Sequence, residues 1–109
     1  MQLAILPFKY LGSGRNRTTY LLPSGKYVLK IPRNEAGVFD NADEEALSLY
    51  KTHARCRTVK LFDTLCLVME YVEQAPLDKE LPTWCDFIDC RQVGYNRKGK
   101  LLAYDYGRN

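Results

Sequence analysis

The chain has 109 residues, of which 46% are apolar and 27% charged, and its net charge is +3. That balance suits one globular domain with a modest core, and it excludes collagen-like, coiled-coil and broadly disordered chains. No apolar run approaches the ~20 residues of a membrane span, and a pI of about 8.7 falls short of a dedicated nucleic-acid domain.

The first seven residues carry no basic group ahead of a short apolar stretch, so no secretory signal is expected. Residues 5–11 predict a strand, 12–17 a glycine-containing turn, and the β-branched and aromatic run 18–22 a second strand. A Pro-Ser-Gly turn leads into 26–31, a third strand with Tyr27, Leu29 and Ile31 on one face and Val28 and Lys30 on the other. Phe39, Ala42, Ala46, Leu49, Tyr50 and His53 recur every three or four residues. They predict a helix with that face buried, Asp40 or Asn41 as its cap, and Asp43, Glu44 and Glu45 in its first turn.

Residues 58–62 and 65–72 read as two strands joined at Asp63-Thr64, the second with an unbroken apolar run typical of a buried strand. A polar connection spans 73–90, with a short helix or turn at 83–89 anchored by Trp84. Residues 91–95 and 100–104 form a final hairpin around 96–99. The expected fold is a single α+β domain over 1–109: an antiparallel five-stranded sheet, one main helix on one face, and a C-terminal β-hairpin.

Charge is uneven along the chain: residues 1–69 carry net +4, 70–90 net −5 and 91–109 net +4. Solvated loops of mixed sign account for this; the sharper alternatives are an acidic partner-binding connection or a basic surface for phosphates. Cys56, Cys66, Cys85 and Cys90 show no C-x-x-C spacing, and the one histidine, His53, is the one imidazole available to join them. That argues against zinc and for reduced thiols in a cytoplasm.

Five segments carry candidate chemistry. Leu11-Gly12-Ser13-Gly14-Arg15-Asn16-Arg17 lies between two strands, and its glycines let backbone approach a phosphate. Lys30 sits between apolar neighbours on a strand; its alternative role is an edge charge that discourages aggregation. Glu45 shares the apolar face of the helix with Ala42, Ala46 and Leu49, where a carboxylate needs a partner, so Glu45 is the expected partner of Lys30. A solvated first turn is the alternative role of both glutamates. Leu67-Val68-Met69-Glu70-Tyr71-Val72 runs from strand into a polar stretch, and Leu101-Leu102-Ala103-Tyr104-Asp105-Tyr106-Gly107 ends the hairpin on an Asp-Tyr-Gly turn.

This order of segments resembles the small N-terminal lobe of the protein-kinase-like fold. The resemblance implies a glycine-rich loop at Gly12, Ser13 and Gly14, with Arg17 where the third glycine stands and with Arg15 and Arg17 offering charge to a triphosphate. It implies a phosphate-pairing Lys30 with its helix glutamate. It also implies a hinge in which Met69 borders adenine and Glu70, Tyr71 and Val72 offer backbone groups, and a magnesium-holding Asp105. ATP and Mg2+ are the cofactors so implied.

The resemblance stops at the catalytic loop. No His-x-Asp occurs in 84–94; Phe87 falls at the position of the base and Gln92 at that of the second metal-binding Asn, while Asp86 and Asp89 lack the expected spacing. Only Arg108 and Asn109 follow Gly107, so no activation segment is expected. The expected function is a degenerate, miniature kinase-like module, of the kind seen in bacteriophage reading frames, that binds ATP and acts through a protein partner in the cytoplasm. The alternatives are a non-nucleotide-binding inhibitor of a partner protein on the same scaffold, and a small active phosphotransferase using Asp86 or Asp89 as base. A nucleic-acid or membrane partner is not expected.

Overall fold

The computed structural model describes residues 8–61, 63–75, 80–87 and 92–104. Strands Lys9–Ser13 (β1), Arg17–Leu21 (β2) and Tyr27–Pro32 (β3) form an antiparallel meander, with Gly25 at φ 74° in the tight β2–β3 turn. Helix Glu35–Leu47 (α1) follows, and then the hairpin of Cys56–Leu61 (β4) and Thr64–Glu70 (β5). Asp63 turns that hairpin at φ 62°, a left-handed position that aspartate tolerates better than most residues. β5 inserts between β3 and β4, so the sheet order is β1-β2-β3-β5-β4. The unbroken apolar run of β5 has this cause: between two neighbouring strands both of its faces are covered, Cys66 buried in one core cluster and Leu67 and Met69 in another.

Glu73–Gln74 (β6), Val93–Tyr95 (β7) and Leu101–Ala103 (β8) build a second, three-stranded antiparallel sheet, with a short 3-10 helix at Thr83–Phe87 between β6 and β7. The fold is thus α+β, with the five-stranded sheet, one α-helix among the described residues and the terminal hairpin β7–β8 that the sequence predicts. Strand β6 was hidden inside the polar connection. It is two residues long, and it pairs because Gly94 of β7 lets the chains close: a Cβ on Gly94 would lie 1.9 Å from the Glu73 carbonyl oxygen.

The helix departs from the sequence reading at both ends and in its faces; it stops at Leu47, short of Leu49, Tyr50 and His53. The helix begins earlier, because Asn34 and not Asp40 or Asn41 caps it: the Asn34 side chain accepts from the Gly37 N–H at 3.0 Å. Its faces are also reversed. Gly37, Asn41 and Glu44 are the buried residues, whereas Phe39, Leu49 and Tyr50 are exposed. The cause lies in the sheet. The face that α1 covers presents Arg17 and Lys30, two buried cations that demand polar partners.

The core bridges the two sheets. Val28, Leu67 and Met69 of the large sheet pack with Ala54, Val72 and Leu102, the last from β8. The segment after α1 completes the joint: the Ala54 N–H donates to the Ala103 carbonyl and the Ala103 N–H to the Thr52 carbonyl, both at 2.8 Å.

Candidate functional site

β1 runs on through Gly12 and Ser13, with a register shift at Leu11, so the turn to β2 is confined to Gly14, Arg15 and Asn16. The Gly14 N–H donates to the Arg17 carbonyl at 2.9 Å and closes that turn. The turn is strapped to the start of α1. The Arg33 N–H donates to the Asn16 carbonyl at 2.6 Å, the Arg33 guanidinium to the Gly14 carbonyl at 2.7 Å, and the Asn16 amide to Asp40 at 3.0 Å. Gly37 permits this approach, since a Cβ there would lie 2.2 Å from the Asn16 carbonyl oxygen.

Beneath the turn lies a buried ionic cluster. Arg17 on β2 forks onto both carboxylate oxygens of Glu44, and Lys30 on β3 donates to Glu44 Oε1 at 3.1 Å. Arg17 also donates to Asn41 Oδ1 at 3.1 Å, and Lys30 Nζ to the Tyr104 carbonyl at 2.9 Å. Burial alone would push the Glu44 carboxyl up; Lys30 and Arg17 outweigh it and hold the group below its ordinary value. Planar guanidinium and planar carboxylate suit such a bidentate, water-excluded pair.

The expected pairing of Lys30 with Glu45 is therefore corrected to Glu44. Glu45 turns instead toward the edge strand β4, where its carboxylate accepts from the Thr58 N–H. The misleading signal was the apolar stripe. The informative one was the polar stripe Gly37, Asn41, Glu44 and Ser48, spaced four, three and four, which faces the sheet. Cys56 lies under the same helix, its Sγ donating to the Glu44 carbonyl at 3.4 Å, and burial pushes its thiol up to about 11.

A cleft of about 620 Å³ opens between this cluster, the glycine turn and the joint of the two sheets. Gly12, Ser13, Gly14, Arg17, Lys30, Met69, Glu70, Tyr71 and Val72 all line it. Arg15 is exposed and Glu45 stands outside the lining. The cleft also takes in Leu11, Thr19, Val28, Gln74, Gln92 and Tyr104. Thr19 was legible as the cross-strand neighbour of Lys30. Gln74 and Tyr104 were not, because their approach depends on how the second sheet docks; the Tyr104 hydroxyl bonds the Gln74 side chain. Asp89 and Asp105 lie outside the described residues, as does the side chain of Asp86.

The backbone of residues 70–72 is partly engaged within the fold. The Glu70 N–H donates to the Arg55 carbonyl and the Tyr71 N–H to the Lys26 carbonyl, each at 2.9 Å. The Glu70 carboxylate fixes two loops, accepting from the Arg55 N–H at 2.8 Å and from the Asn96 amide at 3.0 Å. Chemically the cleft offers an apolar wall (Leu11, Val28, Met69), a glycine-bearing turn, and two cations at its floor. Its size is that of sites for small ligands.

No protein-family model and no curated protein matches the chain. No helix among the described residues is long and apolar enough to cross a membrane.

Proposed function

We propose that the chain is a nucleotide-binding, kinase-like module that lacks a phosphotransfer loop and works through a protein partner in the cytoplasm. The observation that carries this reading is the convergence of three separate sequence segments, the glycine turn, the strand bearing Lys30, and residues 69–72, on one cleft of fitting volume. The strand order with a helix between β3 and β4 supports it. In this reading Leu11, Val28 and Met69 sandwich a purine. The Glu70 carbonyl and the Val72 backbone meet its edge, since the Glu70 and Tyr71 N–H groups are already committed. Lys30 and Arg17 face the phosphates, and Asp105, next in sequence to Tyr104, holds the magnesium. Absence of a His-x-Asp between the hinge and Asp105 supports binding without transfer.

A second reading, a scaffold that binds its partner without nucleotide, draws on Arg17, which stands where the glycine loop would otherwise be open and is tied to Glu44. Thermal denaturation with Mg·ATP separates the two. At about 100 times Kd, ATP stabilises by about 2.7 kcal/mol, a rise in Tm on the order of 10 °C. Gly12→Asp removes the rise without harming the fold, because a Cβ at Gly12 meets nothing within 4 Å while the added charge repels phosphate. No shift at millimolar Mg·ATP overturns nucleotide binding and leaves the second reading.

A further inference from the structure

The face of the large sheet turned away from the cleft carries a second concavity. Val28 and Met69 line the cleft; Tyr27 and Val68, one residue away on the same strands, point to the opposite side. There they form a groove of about 480 Å³ with Arg55 and Arg57, the residues on either side of Cys56 where β4 begins. Both arginines are exposed, and Tyr27 beside them is 46% exposed.

Two polar groups gather further cations to this groove. Glu70 is the cross-strand neighbour of Tyr27, and one of its carboxylate oxygens accepts from the Arg55 N–H at 2.8 Å. The other accepts from the Asn96 amide at 3.0 Å. Asn96 in turn shapes the β7–β8 turn, its Oδ1 accepting from the Lys98 N–H at 3.0 Å and the Lys100 N–H at 2.9 Å. Arg97, Lys98 and Lys100, all exposed, are thereby hooked onto the carboxylate that also holds Arg55. Exposed Lys26 precedes Tyr27, and its carbonyl accepts from the Tyr71 N–H at 2.9 Å.

Six cations from three segments thus meet at one corner of the molecule: Lys26, Arg55, Arg57, Arg97, Lys98 and Lys100. Two acids stand near them, and neither neutralises a cation. Glu70 commits its two oxygens to neutral donors. Glu73 is exposed on β6 in register with Tyr95, and among the described residues neither it nor any of the six cations forms an ion pair. The net charge of +3 hides this corner, because acids elsewhere in the chain offset it in the total.

The chemistry selects the occupant. Lys and Arg clustered on one face are the electrostatic footprint of nucleic-acid binding. A cationic track beside an exposed aromatic ring holds the phosphates of a single strand and stacks its bases. A carboxylate-rich peptide would use the cations but has no need of the Tyr27 ring, and a duplex keeps its base faces inside. We propose that this corner, the Tyr27 groove with its six cations, binds a single-stranded nucleic acid through its phosphates and by stacking on Tyr27. The groove lies across the sheet from the cleft, so it stands or falls independently of the nucleotide.

Fluorescence anisotropy with a labelled strand of about 12 nucleotides and mixed sequence, a length one binding face covers, tests it. With about four phosphates neutralised, log K falls against log salt with a slope of about −2.8, so affinity drops about 50-fold between about 50 and about 200 mM salt. Arg57→Gln makes that slope shallower by about 0.7. Tyr27→Ala leaves the slope unchanged and weakens binding about 5- to 100-fold. Both residues are exposed, so each variant should keep the wild-type melting temperature. No binding at about 50 mM salt with protein up to about 100 µM overturns the proposal. So does a duplex that binds as tightly as the strand. Polyglutamate that binds as tightly, or a Tyr27→Ala variant that binds the strand undiminished, overturns it as well, and is the outcome if the corner receives an acidic protein segment.

Discussion

Glu44 answers two cations with one carboxylate, and that makes it the most demanding residue of the molecule. Removing its charge leaves Arg17 and Lys30 buried at 2% and 5% exposure beside a neutral group. Losing one partner of a buried ionic cluster costs about 3–5 kcal/mol, because the remaining charge stays desolvated. Glu44→Gln should therefore lower the urea midpoint severely, whereas Glu45→Gln, which keeps an acceptor oxygen for the Thr58 N–H, should cost no more than about 1 kcal/mol. Equal effects would contradict the assignment. The pH dependence follows from the same group. Its folded pKa lies below its unfolded value of about 4.5, so its stabilisation is complete above that pH and is lost as pH falls through the folded pKa. Wild-type stability should decline on acidification below about 4.5, and the Glu44→Gln profile should be flatter there.

At the scale of elements, α1 shows what a sequence pattern does and does not reveal. The three- and four-residue recurrence of apolar residues established that a helix exists. It misassigned the buried face, because periodicity assumes that the surface under a helix is apolar. Here that surface carries Arg17 and Lys30, whose need for partners outweighs burial of an alanine-rich stripe. The strands with clear alternation or central burial, β2, β3 and β5, were legible within a residue or two, while β6 was too short to register. Gly37 puts the packing of this element to a test. An alanine in a helix interior normally gains about 1 kcal/mol over glycine. At position 37 its Cβ would meet the Asn16 carbonyl oxygen at 2.2 Å and Pro32 at 3.0 Å, so the glycine turn and the helix must separate. Gly37→Ala should lower stability by about 1–3 kcal/mol in spite of propensity. A rise in Tm would show that the turn is not held against α1 in solution.

Across the whole molecule, the cleft exists because two sheets meet at residues 70–73, and that explains which parts of it the sequence revealed. Gly12, Lys30 and Met69 were legible because each lies in a local motif; Gln74 and Tyr104 enter only through the docking of β6–β8, a long-range event that no short window of sequence contains. The docking has a mechanical consequence. Leu102 of β8 is 2% exposed and packs in one cluster with Val28, Leu67 and Met69 of the large sheet, while Ala103 hydrogen-bonds the segment leading to β4. Trp84, the single tryptophan, packs beside Cys85, Val93 and Ala103 in the cluster of the small sheet. Its fluorescence therefore reports the small sheet, whereas far-UV circular dichroism is dominated by α1 and the large one. If the shared cluster couples them, the two signals follow one transition, as a two-state domain requires. Leu102→Ala should lower both midpoints together, at a cost of about 2–5 kcal/mol for a buried leucine. Loss of the Trp84 signal at lower temperature than the dichroism would mean that the small sheet melts alone, and that the cleft, which needs both sheets, opens before the rest of the fold.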